Sequence, residues 1–237
     1  MRHTLKYIFS ILFVWTSLAS FAQDSIPKKT ERYGIRVGAD LNRLARSFYQ
    51  KDYRGFEIVG DYRLSKKIFL AGEIGNEDRT EAESQLNYTT KGSYFKVGFD
   101  FNAYENWLDM ENMIYAGVRY SVSTFSQELN TYAIYDTNPY FGQTIVTPGQ
   151  KFDGLTAHWL EVVAGVKAEI FDNLFLGFSV RLNYLASNKK PEGFDNLYIP
   201  GFNRTYEGNF GAGFNYTVSY FIPLYKTAKK TAETKKK

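Results

Sequence analysis

Eight stretches of this chain alternate between apolar side chains and polar or glycine ones, and the apolar phase carries no charge in any of them. The clearest runs from Leu174 to Tyr184: Leu174, Leu176, Phe178, Val180, Leu182 and Tyr184 in one phase, Phe175, Gly177, Ser179, Arg181 and Asn183 in the other. A strand has a side-chain period of two, so one face becomes apolar and the other polar. The same pattern predicts strands over 33–42, 55–64, 67–75, 94–103, 112–124, 156–170, 174–184 and 209–222. The expected fold is all-β, an eight-stranded antiparallel up-and-down transmembrane β-barrel.

The connections carry an independent signal. Residues 65–66, 104–111 and 171–173 are short links; 43–54, 76–93, 125–155 and 185–208 are long ones. Short and long alternate, as they do in barrels with tight periplasmic turns and long outer loops. An even strand number puts both termini at the short-turn end, hence in the periplasm.

The N-terminus reads Met1-Arg2-His3-Thr4-Leu5-Lys6, runs apolar over 7–18 and reaches Ser20-Phe21-Ala22. That is a basic start, a short apolar stretch and a small-x-small cleavage site, so residues 1–22 form a secretory signal peptide. A membrane anchor is the alternative, but a spanning helix needs about 20 apolar residues. A periplasmic lead over 23–32, a barrel over 33–222 and a basic disordered tail over 223–237 follow.

With no cysteine there is no disulfide, thiolate metal site or acylated N-terminal Cys. Of the two histidines His3 leaves with the signal, so His158 is the only imidazole of the mature chain. Residues 23–225 hold 21 Lys and Arg against 24 Asp and Glu. The excess of base therefore sits in the tail, and nucleic acid is not an expected partner. The 19 Tyr and 20 Phe suit lipid–water interfaces.

Alternation alone does not say which face is inside, since a secreted soluble barrel would alternate too. Gly34, Gly38, Gly75, Gly98, Gly117, Gly165, Gly177, Gly211 and Gly213 share the charged phase. Glycine gains nothing on a solvated strand, but a narrow lumen needs small residues among large ones. The charged face is thus the interior. By parity it carries Arg36, Arg63, Lys96, Arg119, Lys167 and Arg181 against Asp40, Glu57, Asp61, Glu73, Asp100, Glu161 and Glu169. Near balance predicts an ion-paired polar core, because unpaired buried charge is costly. A proton or small-ion path through the same residues is the functional alternative.

Other candidates weigh less. His158 lies by parity on the outer face near the rim, with Thr156 on its own face and Glu161 on the opposite one; beside Trp159 it suits an aromatic belt. A lipid A-modifying hydrolase would need a Ser and an orienting carboxylate within its reach. Glu77, Asp78, Glu81 and Glu83 against Arg79 read as a solvated loop, lacking the spacing of a calcium loop. The loop aromatics Tyr132, Tyr135, Tyr140, Phe141, Tyr198 and Phe202 are candidates for surface contact, or else for packing over the barrel mouth. No metal or cofactor is expected.

Taken together, residues 33–222 resemble the small eight-stranded outer-membrane barrels of Gram-negative bacteria, the OmpX/OmpA type. Gly213, Tyr216, Val218 and Tyr220 follow a Gly-x-x-aromatic-x-apolar-x-aromatic pattern similar to the C-terminal signal read by the barrel-assembly machinery. Here the chain continues past Pro223, where the strand is expected to stop. The resemblance implies a monomer among outer-membrane lipid and lipopolysaccharide, with a surface ligand possible, and carries over no catalytic residue. The expected role is non-enzymatic, structural or in surface interaction; a lipid A-modifying enzyme or a narrow channel is the alternative.

Overall fold

The computed structural model describes residues 30–83, 85–105, 110–134, 144–193, 195–204 and 209–228. Residues Glu31–Thr227 form one compact unit. The expected signal peptide over 1–22, most of the expected lead over 23–32 and the expected tail from Lys229 lie outside the described residues.

The elements in chain order are β1 (Thr30–Asp40), α1 (Leu41–Tyr49), β2 (Tyr53–Arg63), β3 (Ile68–Ala82), β4 (Leu86–Asn102), β5 (Met113–Ala133), β6 (Ile145–Val146), β7 (Gln150–Phe171), β8 (Leu174–Asn188) and β9 (Phe210–Ala228). Each long strand pairs with its neighbour in sequence, β5 with β7, and β9 returns to β1. Eight strands close into a ring, and β6 only adds two residues to the flank of β5. Every pairing whose register is resolved is antiparallel. Closure removes the unpaired edges that an open sheet would expose to lipid.

The apolar phase points out. Leu182 is 66% exposed while its neighbour Arg181 is 6% exposed. On β8 the outward apolar row runs from Leu176 to Tyr184, nine positions, about what a tilted spanning strand requires. Such a surface is stable only against hydrocarbon. No described helix is long and apolar enough to cross a membrane.

Two features depart from the sequence reading. The strands run further at the long-loop end, so most of 76–93 is a hairpin rather than a loop, with β3 reaching Ala82 and β4 starting at Leu86. Above the apolar band both faces are polar, Asn76, Asp78 and Thr80 outside and Glu77, Arg79 and Glu81 inside, so hydrophobic periodicity falls silent while the ladder continues. The strand expected over 33–42 ends at Asp40, and α1 takes Leu41, Asn42 and the first half of the link expected over 43–54; its N-cap Asp40 accepts from Asn42 N at 2.7 Å and Arg43 N at 3.4 Å.

β9 also continues through Pro223 instead of stopping there. Phe221 N donates to Asn173 O, in the turn before β8, at 2.7 Å. Two residues on, the proline nitrogen faces the side where β8 has ended, so no ladder bond is lost.

Candidate functional site: a charged lumen with a plugged mouth

The interior is built in tiers. At the short-turn end Arg32 reaches Glu111 and Glu169, each at 3.2 Å, and Asn173 Oδ1 at 2.7 Å. Above it Asp61 takes Arg36 at 2.8 Å and Lys167 at 2.5 Å. The Arg36 guanidinium lies between the rings of Phe69 and Phe175, 5.0 and 5.1 Å from their centroids, a cation–π sandwich. At mid-barrel Arg181 grips Glu73 through both terminal nitrogens, at 2.6 and 3.0 Å, and reaches Glu161 at 3.2 Å. Lys96 donates to Glu161 at 2.8 Å and Arg119 to Asp100 at 2.7 Å.

The structure places Arg36, Asp40, Glu57, Asp61, Glu73, Lys96, Asp100, Arg119, Glu161, Lys167, Glu169 and Arg181 inside the ring, each within ion-pair reach of an opposite charge. Glycines make room for these heads. A Cβ on Gly117 would collide with the Asp100 carboxylate and the Arg119 guanidinium. Two cavities among the described residues measure about 20 and 30 Å³, room for one or two waters each.

The mouth at the long-loop end is stoppered, and its key residues escaped the sequence reading. Glu77, fully buried, accepts from Arg43 Nε, Tyr53 Oη and Tyr198 Oη at 2.8 Å each, and from Gly201 N at 2.9 Å. Arg43 comes down from α1 and also holds Asp40 at 2.6 Å and Glu57 at 3.4 Å. Tyr94 Oη donates to Glu57 at 2.7 Å, and Asn215 Nδ2 bridges Glu57 and Asp40. One carboxylate therefore ties the barrel wall, α1 and the connection after β8 together. The available signal was parity, since Glu77 continues the inward row of Glu73 and Gly75.

Several expectations are corrected here. Of the two readings open for Tyr198 and Phe202, surface contact gives way to packing over the mouth, and both are wholly buried: Tyr198 bonds Glu77, and Phe202 meets Trp159 edge-on at 5.7 Å. The mouth has to be filled, and rings between wall and loop bury more area than rings in water. Gly201 sits at φ +80 under the Tyr94 ring, where a Cβ would come within 2.5 Å of the ring. Trp159, next to the outward His158, points inward as the alternation requires and donates to Glu161 at 2.7 Å. Glu77 is no solvated loop residue, and Glu81 accepts from Tyr88 Oη at 2.6 Å and pairs with Arg204 at 2.5 Å.

Tyr132 lies half-buried in β5 opposite Val146 of β6. Tyr135, Tyr140 and Phe141 lie outside the described residues. On β9 Tyr216, Val218 and Tyr220 face outward and Gly213 inward, within register of β8. His158 is half-buried on the outer face with Nδ1 2.9 Å from Tyr120 Oη. No group of three or more metal-ligating side chains forms among the described residues.

Electrostatics set the strength of the stopper. Burial alone would raise the Glu77 carboxyl, but Arg43, the Gly201 amide and the two tyrosine hydroxyls outweigh it and hold the group down at about 2. At the rim, burial and the bond to Glu81 push the Tyr88 phenol up to about 12.

Residues 4–227 match a family model described as a domain of unknown function, DUF6048. The chain belongs to this family. No curated protein matches it. Among solved structures it is similar to Ail, the attachment invasion locus protein of Yersinia pestis, at 12% identity and a TM-score of 0.40, covering 80% of this chain and 97% of that one. It is similar to Neisserial surface protein A at 13% identity and a TM-score of 0.39, covering 82% and 99%. The assignment as a barrel rests on the hydrogen-bonded ring of this DUF6048 chain itself.

Proposed function

We propose that this protein is a non-conducting, non-enzymatic β-barrel of the Gram-negative outer membrane, with a structural or surface-contact role. Its long-loop end faces the exterior and both termini face the periplasm. Its neighbours are outer-membrane lipid, lipopolysaccharide and, during biogenesis, the assembly machinery; the ring needs no second copy to close. The observation that carries the reading is the lumen: paired charges fill it from Arg32 to Glu77, and Tyr198, Phe202 and Trp159 stop its mouth. Such a cylinder offers no water-filled route, so it acts through its outer surface.

Purified protein in planar bilayers is expected to give no reproducible conductance steps. Steady ohmic steps would refute the closed-barrel reading. The non-enzymatic half is tested separately. His158 has a tyrosine hydroxyl beside it, and the one carboxylate near it in sequence, Glu161, faces the lumen. His158→Ala is expected to leave the lipid A profile of the host membrane unchanged, whereas loss of a modified lipid A species would restore the enzyme alternative.

A further inference from the structure

We infer that α1 is an in-plane membrane anchor, its Leu41–Leu44–Phe48 stripe entering the lipid boundary while Lys51 and Arg54 take lipid phosphate. The inference rests on the outer-membrane reading above. β1 ends at Asp40, and its register with β2 stops at Ala39↔Ile58, so residues 53–57 of β2 lack a strand on that side. The helix fills the gap. Ser47 Oγ accepts from Gly55 N at 2.8 Å and donates to Gly55 O at 2.9 Å, the free backbone edge of β2.

Two contacts fix which side of α1 looks inward. Arg43 enters the lumen cluster, and the Arg46 guanidinium lies 3.9 Å over the inward-facing Tyr53 ring. At 3.6 residues per turn, Leu41, Leu44 and Phe48 then fall on the far side, away from the lumen. Leu41 also takes the next place in the outward row of Ile35, Val37 and Ala39. The stripe is thus continuous with the lipid-facing band.

Its exposure is what water would not tolerate: Phe48 is 90% exposed and Leu41 39%, with Tyr49 beside the stripe at 67%. An amphipathic helix of this kind lies in the headgroup–acyl boundary with its apolar side down. The charges agree. Lys51 follows the helix, and Arg54 is outward on β2 just above Phe56. Asp78, the register partner of Arg54, already holds Lys91 at 2.9 Å. Two cations at the border of an apolar band complement lipid phosphate.

The chain has no cysteine, so Phe48→Cys gives a unique site for a nitroxide spin label. The full-length protein is reconstituted in phosphatidylcholine vesicles, and collisions with oxygen and with a water-soluble nickel chelate are measured. Ile58→Cys in the band and Lys190→Cys in an exposed connection are the references. Nickel accessibility at position 48 is expected several-fold below position 190 and close to position 58. If position 48 matches 190 while 58 stays shielded, the anchor is wrong but the membrane barrel stands. If 58 is itself nickel-accessible, the outer-membrane reading fails first. Adding phosphatidylglycerol is expected to shield position 48 further, and Lys51→Gln with Arg54→Gln to cancel that gain. An indifferent unsubstituted pair would overturn the phosphate half.

Discussion

Glu77 shows how much of this molecule hangs on one side chain. Its carboxylate receives a guanidinium, two phenols and a backbone amide, and is sealed from solvent. Glu77→Gln leaves Arg43 buried with Asp40 and Glu57 and turns an acceptor into a partial donor. Breaking a buried pair by removing one partner costs about 3–5 kcal/mol. The expected loss is local: faster hydrogen exchange at the Gly201 amide and a lowered urea midpoint in detergent, with the strands intact. The native group also predicts a pH profile. Its folded value, about 2, lies below the ordinary 4.5, so the stopper has its full strength above about pH 4.5 and loses it as pH falls through 2. The protection factor of the Gly201 amide, its exchange rate relative to the intrinsic rate at each pH, should stay flat between pH 7 and 5 and fall below 4. A profile breaking near neutrality would mean that another group holds the loop.

Among the elements, β8 and α1 illustrate two ways of writing an amphipathic segment. β8 alternates Arg181 and Asn183 inward with Val180 and Leu182 outward, so its faces are readable two residues at a time. Val180→Arg would place a cation on the lipid side near mid-band, at a cost of about 2–4 kcal/mol. A reduced folded fraction in unboiled gel samples measures it; folding equal to the parent protein would mean that Val180 does not face hydrocarbon. In α1 the period is 3.6, and only three apolar residues mark the outer stripe amid Arg43, Arg46 and Ser47. So short a helix carries little propensity of its own. Its position comes from the Asp40 cap, the Ser47–Gly55 bonds and Arg43 in the lumen.

At the scale of the molecule, closure is the controlling fact. Every long strand has two neighbours, and the interior is polar yet filled, so the barrel gains stability from the ladder, the lipid contact and the ion pairs together. Sealed barrels of this kind resist detergent until heated. The protein from the outer-membrane fraction is expected to run faster unboiled than boiled. Identical mobility under both conditions would contradict a closed cylinder.

The sequence by itself determined the strand number, the face turned to lipid and the inward charges, because a period of two converts composition directly into direction. It did not determine α1, the upper hairpin of β3 and β4, or the Glu77 junction. Above the hydrocarbon both faces become polar, so alternation stops reporting direction. Whether an aromatic such as Tyr198 meets water or the lumen then depends on partners more than a hundred residues away. Only the closed ring, which brings β3, α1 and the connection after β8 to one mouth, decided that.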